Sequence, residues 1–102
     1  MAFECGALDA TLAAAAGDDH ALLAELRLAF SESLERQVDL LSRARCDGNW
    51  NVAAMRLKGL AASFHAEQLI ELSDEALDSA PGDPVILRKL DRFVTEFSAT
   101  GN

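Results

Sequence analysis

The chain is short of helix breakers, with two prolines and six glycines in 102 residues, and aromatic residues make up only 6% of it. Alanine and leucine dominate instead, a composition that favours helices over sheet and predicts an all-α protein. Positive charge is scarce too: nine basic residues stand against seventeen acidic ones, for a net charge of −8. The average field of such a chain repels nucleic acid and anionic membrane surfaces, so a general nucleic-acid role is excluded on charge. Cysteine occurs twice, at Cys5 and Cys46, without CxxC spacing or a flanking histidine pair. That excludes a recognisable zinc or redox motif; two free thiols in a reduced compartment are expected, with a single Cys5–Cys46 disulfide as the alternative. No stretch approaches the roughly 18 apolar residues of a membrane span. The N-terminal MAFECGALDATLAAAAGDD lacks the positive region of a signal peptide and carries Glu4 and Asp9, so it reads as a short helix in a soluble, cytoplasmic protein. The length suits a single domain over residues 1–102 with one core.

Half of the residues are apolar, and their spacing is helical. Leu8, Leu12, Ala15 and Ala16 form a short stripe that ends at Gly17, and Asp18-Asp19 supplies the next N-cap. Leu22, Leu23, Leu26, Phe30, Leu34, Val38 and Leu41 then recur at threes and fours, predicting a long helix to about Arg45 that Asp47-Gly48 closes. Asn49 or Asn51 is the expected cap of a third helix, with Trp50, Ala53, Ala54, Leu57, Leu60, Ala61 and Phe64 on its core side. Leu69, Leu72, Ser73, Ala76, Leu77 and Ala80, widened by Ile70, mark a fourth. Between these two, Ser63 to Gln68 holds no strong breaker, and a bend is inferred from the shift in phase of the apolar stripe. Pro81-Gly82-Asp83-Pro84 breaks the chain, with Asp83 as N-cap and Pro84 as first residue of a last helix that carries Val85, Ile86, Leu90, Phe93, Val94 and Phe97. Short polar links make neighbours antiparallel, and the expected architecture is an up-down four-helix bundle with a short additional N-terminal helix.

The third helix carries the functional signal. With Leu57 at the centre of its buried side and 100° per residue, Met55 falls at about 160°, Gly59 at about −160°, Val52 at about −140° and Ala62 at about 140°. All four point outward. Lys58 at about 100° and Arg56 at about −100° border this strip. A glycine inside a helix costs about 1 kcal/mol relative to alanine, and nothing local in the sequence offsets that cost at Gly59. A bare backbone on an exposed apolar strip is what the close approach of another molecule requires.

This segment, Ala54-Met55-Arg56-Leu57-Lys58-Gly59 followed by Leu60-Ala61-Ala62-Ser63, Phe64, His65-Ala66 and Leu69, resembles the signature of histidine-containing phosphotransfer (HPt) domains. That signature reads Ala-His-x-Leu-Lys-Gly, then small residues, an apolar residue, Gly-Ala and x-x-Leu. It aligns without gaps, Trp50 precedes it where the family often has an aromatic residue or aspartate, and the family's helix order matches essentially the whole chain. The resemblance implies a phosphorelay module that meets response-regulator receiver domains or sensor kinases. Two positions depart from it. Met55 stands where the family has its phosphoryl-accepting histidine, and a thioether cannot form a phosphoramidate. His65 stands at the family's glycine of Gly-Ala.

The leading expectation is therefore a degenerate HPt-like module that docks a receiver or kinase without accepting phosphate, through Val52, Met55, Arg56, Lys58, Gly59 and Ala62. In the family the lysine helps to neutralise the phosphoryl group and the glycine clears space beside the acceptor. A second reading is active phosphotransfer through His65 or His20. His65 lies ten residues beyond Met55, roughly 15 Å along the axis, and faces another side, so it reads first as a partly buried histidine hydrogen-bonded at the helix junction. His20, beside Asp18 and Asp19, reads as a surface residue. A third reading makes the strip a homodimer interface of a helical assembly module. No nucleophile–base pair, phosphate loop or metal cluster marks the chain as an enzyme, and no cofactor or metal is expected.

Overall fold

Chain punctuation sets the architecture. The computed structural model describes the backbone of residues 6–100 and the side chains of residues 8–98; Cys5, one of the two expected free thiols, lies outside them. Among the described residues the structure is all-helical, with α1 (Gly6–Ala16), α2 (His20–Arg43), α3 (Asp47–Ser63), α4 (Glu67–Leu77) and α5 (Pro84–Thr100).

Gly17 ends α1 at φ 64°, and Asp19 caps α2 by accepting the Leu22 backbone N–H at 3.0 Å. At the far end Asp83 accepts the N–H of Val85 at 2.9 Å and Pro84 opens α5. In both places a short carboxylate satisfies a donor that the first helical turn leaves without a partner.

The link between α2 and α3 differs from the sequence expectation. Asp47-Gly48 does not close α2; it forms the first turn of α3, and Asn49 and Asn51, expected as caps, are exposed residues inside that helix. The turn happens earlier. Ala44 leaves the α2 end in an extended conformation, and extended Cys46 accepts the Trp50 N–H at 3.0 Å through its carbonyl. Asp47 then sits where a carboxylate complements the positive end of the helix dipole.

The break between α3 and α4 is made by His65. Its φ of 56° places it in the left-handed region, which histidine enters more readily than most side chains. The N–H of His65 donates to the Ala62 carbonyl at 3.2 Å and that of Ala66 to Ala61 at 2.9 Å, the paired bonds of a Schellman stop. Buried Ala61 and Ala66 supply its apolar contact.

Helix α2 packs on α1, α3 and α5, and α4 packs on α3 and α5, so α2 to α5 close a ring of neighbours around one core. Leu12, Leu34, Leu41, Leu57, Leu69, Ile86 and Leu90 are fully enclosed there, and Phe30 meets Phe64 and Phe97 edge-on at 4.9 and 5.2 Å between ring centroids, a favoured geometry for aromatic quadrupoles. Several residues assigned to the apolar stripes lie outside this core. Ala15 is exposed because α1 turns only the Leu8, Leu12 and Ala16 row inward, while Leu22 and Val85 sit in the outer first turns of their helices. Ala80 lies beyond α4, which closes at Leu77 when the N–H groups of Asp78 and Ser79 bond back to the last turn.

Candidate functional site

The orientation of α3 follows from its buried row. Ala54, Leu57 and Ala61 have no accessible surface, and Trp50 is enclosed with its indole N–H donating to the Ala76 carbonyl of α4 at 2.6 Å. A large aromatic side chain anchored at both its ring and its N–H fixes the rotation of α3 about its own axis. The opposite face must then meet solvent.

On that face Met55 is 56% and Val52 51% exposed, and Gly59 and Ala62 are exposed beside them. Outside its own stretch of helix, a Cβ added at Gly59 would meet no atom of the described residues within 4 Å, so no packing neighbour among them requires the glycine. The Gly59 carbonyl accepts the Ser63 hydroxyl at 2.9 Å.

The two charged borders are unequal. Lys58 reaches across to α4, its Nζ 2.7 Å from Asp74 Oδ1, in a pair whose side chains are 40% and 50% exposed. Arg56 is exposed and has no ion-pair partner among the described residues. Beyond Arg56, toward α2, lies an open groove of about 270 Å³ lined by Leu40, Arg43, Ala44, Asn49, Val52, Ala53 and Arg56. Leu40 and Arg43 thus continue the α3 face onto α2. Sequence reasoning did not reach them, although one signal was present: Leu40 is a large apolar residue outside the phase of the Leu34, Val38 and Leu41 row.

His65 is exposed rather than partly buried, because its left-handed backbone turns the residue outward at the junction, and it is the backbone N–H that bonds there. His20 is exposed at the start of α2, as expected. Cys46 is a free, exposed thiol. Among the described residues no group of three or more His, Cys, Asp and Glu side chains could hold a metal ion, and no helix is long and apolar enough to cross a membrane.

No family model, curated protein or solved structure matches the chain. The functional reading therefore rests on the α3 face itself. Chemically, that face offers a thioether, two aliphatic groups, a bare stretch of backbone and cationic donors. Such a set can bind a surface with apolar and anionic groups, and it contains no nucleophile–base pair.

Proposed function

We propose that this chain is a degenerate HPt-like module that docks the receiver domain of a response regulator, or a sensor kinase, without taking up phosphate. In this reading α2 to α5 are the antiparallel four-helix bundle of that family and α1 is its additional N-terminal helix. The ring of packing contacts and the short links at 44–46 and 64–66 support that architecture. The observation that carries the function is the exposed strip of Val52, Met55, Gly59 and Ala62 on the outer face of α3, in the segment whose Leu57-Lys58-Gly59 resembles the family signature. Met55 sits at the acceptor position and has no proton to exchange and no lone pair basic enough to hold a phosphoryl group. The module acts by occupancy. The strip packs on the partner and the cationic borders face its acidic phosphorylation pocket, in a protein of the cytoplasm with no catalytic activity of its own.

The test is a binding and phosphotransfer screen of the natural chain and Met55→His against receiver domains from the same organism. The natural chain is expected to bind at least one receiver and to acquire no acid-labile phosphate, whereas Met55→His becomes labelled. Absence of binding to every receiver, phosphorylated or not, defeats the reading. Label on the natural chain that disappears in His65→Gln or His20→Gln assigns phosphotransfer to those histidines. A stable dimer in sedimentation that Met55→Glu dissolves assigns the strip to self-association.

A further inference from the structure

We infer that the docking footprint is lopsided: from the α3 strip it runs across the groove onto α2, with Arg56 and Arg43 as its main cationic contacts, and Lys58 on the α4 side contributes little. The inference rests on the receiver-docking reading and specifies which flank of the strip the partner covers and what chemistry that partner must present.

Three observations converge on the α2 side. First, six large apolar side chains are exposed among the described residues, at Leu22, Leu28, Leu40, Val52, Met55 and Val85, and three of them lie on this one face. Leu40 and Val52 line the same groove, and Met55 lies on the α3 strip beside Arg56. Scattered exposed apolar residues need no explanation, but a contiguous set marks a contact surface. Second, the groove is rimmed by two guanidinium groups in a chain of net charge −8. Arg36, exposed one turn before Leu40, continues the row formed by Leu40 and Arg43 along α2. Local positive charge against a negative whole selects a partner surface that presents carboxylates around an apolar side chain.

Third, the cations differ in what they must give up. A partner carboxylate that approaches Lys58 has to displace Asp74 from a 2.7 Å contact. That exchanges one half-exposed, solvent-screened pair for another of the same kind, so the net gain is close to zero. Among the described residues Arg56 has no pairing to lose. Arg43 is 76% exposed and meets Asp39 through Nε at 3.2 Å, which leaves both terminal nitrogens of the fork for bidentate contact with a carboxylate. The flank toward α4 offers a lysine already engaged by Asp74, whereas the flank toward α2 offers Arg56 and the two terminal nitrogens that Arg43 does not use on Asp39.

The experiment uses the full chain and the receiver domain that binds it most tightly in the screen, with dissociation constants measured at two salt concentrations. Arg43→Gln and Arg56→Gln together are expected to weaken binding at least tenfold and to flatten its salt dependence. Lys58→Gln should weaken it by no more than about threefold, and Asp74→Asn, which frees Lys58, should change it less than twofold. Leu40→Ser is the apolar counterpart and should weaken binding about fivefold. All of these positions except Lys58 and Asp74 are exposed, and a melting temperature within a few degrees of the natural chain shows that each variant folds. Arginine variants that bind normally, or an Asp74→Asn variant that binds several-fold more tightly, overturn the lopsided footprint while the docking reading stands. A natural chain that binds no receiver overturns both.

Discussion

At Gly59 the balance between stability and contact can be read in one residue. Its Cβ position is open and it lies within α3, so alanine there adds no clash and removes conformational freedom from the unfolded chain. Gly59→Ala is expected to raise unfolding stability by about 1 kcal/mol in urea titration. The same methyl stands on the strip where a partner backbone would approach, so receiver binding is expected to weaken in the variant that is more stable. Opposite signs in the two measurements are the signature of a glycine kept for an external contact. A loss of stability would mean instead that Gly59 serves the fold of α3. Met55 is the complementary case, since its exposure makes it accessible and its thioether cannot hold a phosphoryl group. The helical period alone placed both residues outward, because α3 has one buried row, deep and continuous, and everything opposite it is solvent-facing. Period could not show that Lys58 is drawn to Asp74, sixteen positions away on another helix.

The helix ends divide according to whether a single residue type decides them. Asp83-Pro84 starts α5 as expected, because proline at the first helical position and aspartate before it satisfy both the backbone angle and the free donor. Asp47-Gly48 reads in the sequence as a helix stop and instead forms a first turn: the same pair suits both, and only the earlier extended stretch at Ala44 and Cys46 decides it. The stop after α3 has no glycine at all. His65 takes the left-handed position, which costs a residue with a Cβ more than glycine, and its place in the resembling family's signature is glycine. His65→Gly is therefore expected to stabilise the protein by about 0.5–1 kcal/mol, and His65→Val, branched at Cβ, to destabilise it by about 1–2 kcal/mol. Thermal unfolding of the two variants checks this. Equal stabilities would show that the Schellman bonds of His65 and Ala66 do not depend on the left-handed residue.

On the scale of the whole molecule the core was legible and the polar ties between helices were not. Residues such as Leu34, Leu57, Leu69 and Leu90 announce themselves by recurring at threes and fours, since each helix must bury one face. A tie between distant segments has no period. Arg27 shows the consequence: from α2 it donates to Asp9 of α1 and, at 3.3 Å, to the Phe97 carbonyl of α5, and its guanidinium carbon lies 4.4 Å from the centre of the Phe97 ring. Its side chain is only 16% exposed, whereas Asp9 is 47% exposed. The stem and head of Arg27 therefore join three helices, and the ion pair is its more solvated half. Removing the whole side chain costs packing, a charge-assisted hydrogen bond and a cation–π contact, together about 2 kcal/mol, whereas Asp9→Ala removes the screened part alone, worth about 0.5–1 kcal/mol. Arg27→Lys keeps the charge without the planar fork and is expected to recover less than half of the loss from Arg27→Ala. Urea unfolding of the three variants, with amide exchange followed in α1 and α5, separates the contributions. Faster exchange at both helices in Arg27→Ala, and at α1 only in Asp9→Ala, is the result expected of a three-helix clamp. Equal losses from Arg27→Ala and Asp9→Ala would reduce the clamp to a single ion pair between α1 and α2.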